Sequence, residues 1–318
     1  MVGLTSTLMQ QALRIAEKEF GARPDASWTP SGQGAVGHVF GLRTAHQSLV
    51  MKLFVADSPE EPWERERRAL NLTADYADIP VPLLVSHGRI PAPRTVPFLL
   101  MTRLPGIRWA DRRQHLTDEQ AVRVHRRVGT LLRQFHRRSE GETARPFRGL
   151  SSRDPAWSSL ADAIDDRLAT LARRYRRLGG SDLLTRNLER FVTRRYDALR
   201  RFRQPILCHN DFIDGNMLLS TRREPAVPGI VDFERASFGD PMADLAQTLR
   251  NAAFHQPNGA RELAAAYGLD GIDPERLAVH DVLHTLEERI WLGTDQPSGW
   301  RTAASRLDRQ LEQAIRSG

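Results

Sequence analysis

The feature that most constrains this chain is a pair of short apolar runs, each of which ends in polar side chains. The first run leads into HNDFIDGN at residues 209–216, and the second leads into Asp232-Phe233-Glu234. Runs of this length predict buried strands. The Asn216 carboxamide can then lie beside the Asp232 carboxylate, and such oxygens are ligands that suit Mg²⁺. Asp211 would remain to orient a hydroxyl group. The alternative, for any one of these residues, is a turn residue that caps its own backbone.

A lysine lies inside another strand-like run, SLVMKLFV at residues 48–55. Of the 46 basic residues 44 are Arg, and the two lysines are Lys18 and Lys52. This bias suggests that position 52 needs a compact ammonium rather than a planar guanidinium. A buried ammonium needs a partner, and Glu66 on the next predicted helix is the expected one. The alternative is a lysine that reaches solvent from an edge strand, with Glu66 as a solvated helix acid.

A glycine-rich turn precedes this strand. Gly32, Gly34 and Gly37 form a G-x-G-x-x-G pattern, and glycines let a backbone approach a phosphate closely. A dinucleotide-binding fold would open a helix here, whereas Val39 and Phe40 continue a strand pattern. The alternative interpretation is a glycine-rich hairpin.

The chain changes character near residues 101–106. Residues 1–103 are predicted to form a β-rich lobe with one inserted helix, and residues 104–318 a mainly helical lobe, which gives an α+β fold of two lobes. Thr117 and Gln120 form a possible capping box that opens the first long helix of the second lobe. The N-terminal stretch has the apolar spacing of an amphipathic helix and predicts neither a signal peptide nor a membrane span.

The charge pattern raises a nucleic-acid hypothesis. The formal net charge is +7, and residues 156–203 hold 12 Arg against 6 acidic residues. Clustered cations neutralise phosphates, but this stretch also has helical apolar spacing, which favours a solvated helix surface. We therefore expect no nucleic-acid partner and no membrane partner. The single cysteine, Cys208, excludes an internal disulfide and favours a cytoplasmic location.

Taken together, these motifs resemble those of the protein-kinase-like fold, and in particular its aminoglycoside phosphotransferase branch. The stretches LCHNDFIDGNMLL, VDFERASFGDPMADLA and FLLMTRLPG are similar to that branch. The resemblance covers roughly residues 30–250, and beyond that it is limited to helical character. It implies a two-lobed kinase-like fold with ATP, or GTP, and Mg²⁺ as the nucleotide and the metal.

The resemblance also implies a nucleotide site in the first lobe. Lys52 would contact the α- and β-phosphates while it is paired with Glu66. Main-chain groups at 102 and 104 would read the base edge, and the glycine turn would cover the phosphates. The other residues expected around the nucleotide are Gly32, Gly34, Ala35, Gly37, Val39, Met101, Thr102 and Leu104.

For the second lobe the resemblance implies the chemistry. Asn216 and Asp232 would hold Mg²⁺, while Asp211 would align the acceptor hydroxyl and take its proton. The residues expected to hold this loop in place are His209, Asp240 and Asp244. Asn210 stands where the branch often has Gly.

Two departures from protein kinases favour a small-molecule acceptor. Glu234 replaces the glycine of Asp-Phe-Gly, and Gly239-Asp240-Pro241 follows without a long activation segment. A protein substrate would therefore have no platform. A cationic acceptor would need a locally acidic pocket, because the chain is basic overall. The candidate substrate contacts are Asp214, Glu287, Glu288, Trp291 and Asp295.

The sequence supports three functions. The first is ATP-dependent phosphorylation of a hydroxyl on an antibiotic (aminoglycoside-like, nucleoside or peptide), which would give resistance by inactivation. The second is the same chemistry on a metabolite of the choline, homoserine or sugar type. The third is a non-catalytic nucleotide-binding protein or a nucleic-acid binder, which the intact set of Lys52, Asp211, Asn216 and Asp232 disfavours. The oligomeric state is left open.

Overall fold

The apolar runs of the first third form antiparallel strands in the computed structural model, which describes residues 6–21, 23–24, 37–91, 95–140 and 146–317. The strands are β1 (Arg23–Pro24), β2 (Gly37–Arg43), β3 (Ser48–Phe54), β4 (Leu84–Ile90), β5 (Val96–Thr102), β6 (Ile107–Arg108), β7 (Phe147–Gly149), β8 (Ala156–Trp157), β9 (Ile206–Cys208), β10 (Met217–Leu219), β11 (Gly229–Ile230) and β12 (Ser237–Gly239).

Helices make up most of the later part of the chain. They are α1 (Ser6–Phe20), α2 (Glu60–Leu72), α3 (Trp109–Arg112), α4 (Asp118–Arg138), α5 (Leu160–Arg177), α6 (Asp182–Thr193), α7 (Tyr196–Arg201), α8 (Pro241–His255), α9 (Pro257–Tyr267), α10 (Pro274–Asp295) and α11 (Trp300–Ser317). Short 3-10 turns span Arg113–His115, Asp214–Asn216 and Leu269–Gly271. The α+β fold class predicted from the sequence is confirmed.

The chain divides into two compact units, and each is discontinuous in sequence. The first contains residues up to Gln120, together with Gly149–Asp154 and Asp214–Ser237. The second contains Ala121–Arg148, Pro155–Ile213 and the residues from Phe238 onward. The predicted boundary between a nucleotide-binding and a catalytic lobe at residues 103–104 stays a prediction.

The first unit is built on a five-stranded antiparallel sheet in the order β1-β2-β3-β5-β4. Lys52 on β3 stands opposite Val39 on β2 and Leu99 on β5. Leu8, Ala12 and Ala16 of α1 are buried in the same hydrophobic cluster as the inner residues of this sheet. The amphipathic N-terminal helix predicted from the sequence is therefore present.

A second, smaller sheet of the first unit has the order β11-β10-β6, with antiparallel pairing of β10 to its neighbours. Met217 stands opposite Ile230, so the strand that follows HNDFIDGN lies beside the apolar run that leads into Asp232. The run that precedes HNDFIDGN forms β9, which belongs to a different sheet. The predicted capping box is also present, because Thr117 and Gln120 exchange backbone-to-side-chain hydrogen bonds of 3.0 and 3.2 Å.

The core of the second unit is helical. Residues predicted to form the apolar face of α5 and α6, among them Leu168, Leu171, Leu188 and Phe191, are buried together with residues of α10 such as Leu283. A four-stranded sheet, β8-β7-β12-β9, belongs to this unit apart from its end residues Gly149 and Ser237. Among the described residues, no helix is both long and apolar enough to cross a membrane.

Candidate functional site

Lys52 is buried and paired with Glu66. Its side chain is 8% exposed on β3, and its Nζ lies 2.7 Å from Oε2 of Glu66 on α2. Glu66 is itself buried and also accepts a hydrogen bond of 3.4 Å from the backbone N–H of Phe233. The partner that the spacing predicts for Lys52 is therefore in place, whereas the alternative of a solvent-reaching lysine is wrong.

Two more carboxylates bind the same ammonium. Asp232 Oδ1 lies 2.6 Å from Lys52 Nζ, and Glu234 Oε2 lies 2.9 Å from it. Burial disfavours the charge on Lys52, but the three carboxylates hold its pKa well above the usual value. Burial and the like charges of Asp232 and Glu234 raise the pKa of Glu66 to about 7, against the opposing effect of Lys52. The contact between Glu234 and Lys52 was not predicted from the sequence. The available signal was an acidic residue in place of the glycine of Asp-Phe-Gly.

The residues proposed as metal ligands lie on adjacent segments of the first unit. Asn216 ends a 3-10 turn immediately before β10, and its carbonyl oxygen accepts a 2.9 Å hydrogen bond from the N–H of Val231. Asp232 follows with a positive φ of 72°. One carboxylate oxygen each from Glu66, Asp232 and Glu234 lie within 4.8 Å of one another. Carboxylate oxygens are ligands that suit Mg²⁺, but here all three residues bind the Lys52 ammonium. The assignment of Asn216 and Asp232 as Mg²⁺ ligands stays a prediction.

Part of the predicted glycine turn falls outside the described residues, namely Gly32, Gly34 and Ala35. Gly37 and Val39 are described and belong to β2. A Cβ atom on Gly37 would lie 2.8 Å from the Leu53 carbonyl oxygen and 3.3 Å from Cε of Lys52. Glycine is therefore required at position 37 by the close approach of β3.

The segment predicted to contact the base lies at the end of β5. The N–H of Thr102 donates to the carbonyl oxygen of Leu83 at 2.9 Å, because β5 continues its sheet contacts to this point. That N–H is used within the sheet, and the predicted main-chain contacts of residues 102 and 104 with the base stay predictions. Met101 is buried and Leu104 is partly buried, and their proposed roles stay predictions.

The loop that carries Asp211 is held by α8 of the second unit. Asp244 accepts hydrogen bonds from the backbone N–H groups of His209 and Asn210, at 2.7 and 2.5 Å. Asn210 has a φ of +58°, a conformation that Gly adopts freely and that Asn tolerates better than most other residues. Gln247 Nε2 donates to Asp211 Oδ1 at 3.0 Å.

Asp244 is anchored in turn by His136. The His136 Nε2 atom lies 3.1 Å from Asp244 Oδ2, and its Nδ1 lies 3.0 Å from the Tyr267 hydroxyl. Burial opposes ionisation of Asp244, but the hydrogen bond and charge of His136 hold its pKa below the usual value. The prediction that Asp244 stabilises the loop is confirmed.

Asp240 lies at the start of α8 and contacts α10. It caps α8 through the N–H of Met242 at 3.1 Å and binds two residues of α10, Arg276 at 2.6 Å and His280 at 3.0 Å. Its carboxylate is therefore used to join α8 to α10, because the helix start and a cation from α10 meet there. The prediction that Asp240 also stabilises the loop stays a prediction.

The acidic residues proposed to contact substrate are paired with arginines. Asp214 forms an ion pair with Arg113, both in the first unit. In the second unit, Glu287 pairs with Arg167 at 2.9 Å, and Glu288 pairs with Arg250 at 2.7 Å. These arginines are distant in sequence, so the pairing left no signal in the sequence.

Arg167 also changes the titration of its neighbours. Burial alone would raise the pKa of Glu287, but the charge of Arg167 holds it well below its usual range. Trp291 is 51% exposed, and Asp295 is exposed at the end of α10. The roles proposed for these residues in binding a substrate stay predictions.

Comparison with solved structures shows a shared fold. The chain matches a thermostable mutant of aminoglycoside phosphotransferase APH(4)-Ia, in a ternary complex with ADP and hygromycin B, with a TM-score of 0.69 and 15% identity over 97% of this chain and 99% of that chain. It matches the GDP and kanamycin complex of APH(2'')-IIIa with a TM-score of 0.64 and 15% identity, over 98% of this chain and 99% of that chain. The fold is thus the kinase-like fold that the sequence predicts.

The chain therefore has a kinase-like fold, with the buried lysine–glutamate pair that the resemblance predicts. A model of the phosphotransferase enzyme family, APH, matches residues 27–280, which is well over half of the chain. The chain belongs to this family. As the resemblance predicts, it is an enzyme, a small-molecule kinase.

Proposed function

We propose that the chain transfers the γ-phosphoryl group of ATP, or of GTP, to a hydroxyl of a small molecule, namely an antibiotic of the aminoglycoside, nucleoside or peptide class. The observation that carries the proposal is the buried Lys52 ammonium with Glu66 at 2.7 Å and Asp232 at 2.6 Å. An ammonium held in this way can bind phosphate oxygens while its position is fixed by the carboxylate of Glu66.

The nucleotide would be bound by residues of the first unit. Lys52 would contact the α- and β-phosphates, and the N–H groups around Gly34 and Ala35 would cover them. Asn216 and Asp232 would hold Mg²⁺, which neutralises charge on the phosphates when it is bound. Glu234 offers a further oxygen at the same cluster. We retain the division into a nucleotide-binding lobe, residues 1–103, and a catalytic lobe, residues 104–318, as part of the proposal.

Asp211 would act on the acceptor. Its carboxylate would accept a hydrogen bond from the acceptor hydroxyl, align the oxygen for attack on the γ-phosphorus and take the proton as the new O–P bond forms. The bond from the γ-phosphorus to the bridging oxygen breaks, and ADP leaves. The anchored loop, with His209 and Asn210 bound to Asp244, supports this role because it fixes the backbone beside Asp211.

An antibiotic acceptor is supported by the structural relatives, whose complexes contain hygromycin B or kanamycin. Modification of such a compound would give resistance by inactivation. The single cysteine favours a cytoplasmic enzyme, where ATP is present.

A metabolite acceptor is the second candidate. The acids on α10 that would attract a cationic antibiotic are paired: Glu287 with Arg167 and Glu288 with Arg250. A polycation would have to compete with these guanidinium groups. This pairing favours a less cationic hydroxyl compound, such as homoserine or a sugar.

Magnesium-dependent ADP release, measured with a panel of antibiotics and hydroxyl metabolites, tests the proposal. We expect release with at least one acceptor, and we expect Asp211→Ala to lower kcat by at least about 10²-fold because a positioned proton acceptor is lost. The control is ATP affinity, which Asp211→Ala should leave unchanged. Near-normal turnover by Asp211→Ala would exclude its role, and bound ATP without turnover on any acceptor would favour a non-catalytic nucleotide-binding protein.

A further inference from the structure

We infer that Gln247 is a positioning residue that fixes the orientation of the Asp211 carboxylate. This inference rests on the proposed role of Asp211. Gln247 lies on α8, three residues after Asp244, and its Nε2 is 3.0 Å from Asp211 Oδ1. The spacing places both side chains on one face of the helix.

One face of α8 holds four consecutive residues of the loop. Asp244 binds the backbone N–H groups of residues 209 and 210, and Gln247 binds the side chain of Asp211. The Thr248 hydroxyl donates to the carbonyl oxygen of Phe212 at 2.8 Å. Asp244 and Thr248 therefore fix the loop backbone on both sides of Asp211, whereas Gln247 reaches the carboxylate itself.

The direction of the Gln247 amide follows from its partner. A carboxylate only accepts hydrogen bonds, so the NH₂ end of the amide must face Asp211. The other end, Oε1, is buried and has no hydrogen-bond partner among the described residues. A buried acceptor without a partner destabilises a fold, and an apolar side chain of similar size would avoid that cost. Stability therefore does not explain glutamine at this position, whereas a hydrogen bond to Asp211 does.

The hydrogen bond supplies what a general base needs. Rotation of a carboxylate about its last torsion is only weakly restricted, and a donor on Oδ1 fixes the plane of the group. The remaining lone pairs, including those of Oδ2, then keep one orientation toward an acceptor hydroxyl. Because the amide is neutral, it orients the carboxylate without cancelling its negative charge, as a lysine or arginine would.

Two substitutions separate these effects in the full-length protein. Gln247→Met keeps the length of the side chain but removes the donor, and Gln247→Glu keeps the shape but places a second carboxylate beside Asp211. Gln310→Met, at an exposed position on α11, is the matched control. The measurements are ADP release with Mg²⁺ and hygromycin B, kanamycin or water as the phosphoryl acceptor, ATP affinity, Tm, and crystal structures of the wild type and Gln247→Met.

We expect Gln247→Met to lower kcat by about 10-fold or more, with KM for ATP and for the acceptor changed less than about 2-fold and an unchanged Tm. Gln247→Glu should lower kcat further, and Gln310→Met should match the wild type. The Asp211 carboxylate should turn to a different orientation in the Gln247→Met crystal structure.

An unchanged kcat in Gln247→Met, or a rise in acceptor KM alone, would overturn the inference. An Asp211 carboxylate that keeps its orientation in that crystal structure would also overturn it, and this readout needs no acceptor. Failure of the proposed function is recognised separately, because Asp211→Ala would then retain the turnover of the wild type, or no acceptor would be phosphorylated at all.

Discussion

Oε2 of Glu66 on α2 lies 2.7 Å from Nζ of Lys52 on β3, the strand that precedes this helix in the sequence. The pair is buried, and Asp232 and Glu234 complete the surroundings of the ammonium. Three carboxylates that converge on one point require a compact cation with a well-defined position. This relationship explains why lysine occurs at position 52 of a chain that otherwise uses arginine.

Lys52→Arg should therefore be severely damaging despite its retained charge. A planar guanidinium cannot place its nitrogen atoms within 3 Å of all three carboxylates in the space of an ammonium. We expect kcat/KM for ATP to fall by about 10²-fold or more. Steady-state kinetics check this, and Lys18→Arg, on an exposed face of α1, is the control. Equal activity of the two variants would show that charge alone matters at position 52.

Gly37→Ala should disturb the same lysine from the neighbouring strand. The added methyl group would meet the Leu53 carbonyl oxygen at 2.8 Å and the Lys52 side chain at 3.3 Å, so β2 or the lysine must move. We expect KM for ATP to rise by about 3-fold or more, with a Tm lowered by a few degrees. Gly271→Ala, where the added atom meets only Tyr267 at 3.6 Å, is the control. A normal KM for ATP in Gly37→Ala would contradict the tight approach of the two strands.

His284 should make the fold sensitive to acid. Burial, together with the charge of Arg167, lowers the pKa of His284 to about 4 against the opposing effect of Glu287. Arg167 donates to Nδ1 at 3.3 Å and Nε2 donates to the Ala243 carbonyl oxygen at 3.0 Å, which requires a neutral ring.

The direction of the pH effect follows from the depressed pKa. Between pH 6.5 and about 4 the unfolded chain binds a proton that the folded chain does not, so stability falls as the pH falls through this window. The loss approaches roughly 3 kcal/mol below pH 4. We expect the Tm of His284→Gln to fall less between pH 7 and pH 5 than that of the wild type. His46→Gln, at an exposed position, should follow the wild type, and parallel curves for all three proteins would count against the neutral buried ring.

Arg250→Gln should improve the binding of cationic acceptors. Arg250 is paired with Asp281 at 3.1 Å and with Glu288 at 2.7 Å, and its removal uncovers both carboxylates. Because these acids are more than 40% exposed, solvent screening limits the expected fall in acceptor KM to about 5-fold. Kinetics with kanamycin and with a neutral sugar measure this. A higher KM for both compounds would mean that Arg250 itself contributes to binding.

The sequence could predict those parts of the site that rest on local spacing. Lys52 and Glu66 are 14 residues apart on adjacent elements, and the polar ends of two apolar runs were enough to place Asn216 beside the segment of Asp232. The fold class could be predicted in the same way, because the change from strand to helix patterns near residues 101–106 is also a local signal.

The remaining contacts depend on tertiary packing between segments distant in sequence. Glu288 pairs with Arg250 and Asp214 with Arg113, across 38 and 101 residues, and no spacing rule links such positions. The resemblance assigned Asp240 to the loop, and its partners lie at the start of α8 and on α10. Gln247 combines a local and a distant signal. Its helical spacing from Asp244 can be read from the sequence, whereas its contact with Asp211 depends on tertiary packing.

The most direct test of the account is whether the acceptor gains a phosphoryl group that requires Lys52 and Asp211. The measurement is mass spectrometry of an acceptor panel after incubation with the enzyme, Mg²⁺ and ATP, in parallel with Lys52→Arg and Asp211→Ala. We expect one hydroxyl compound to gain the mass of a single phosphoryl group with the wild type. The same product should form far more slowly with either variant. Equal product from the wild type and Asp211→Ala would contradict it.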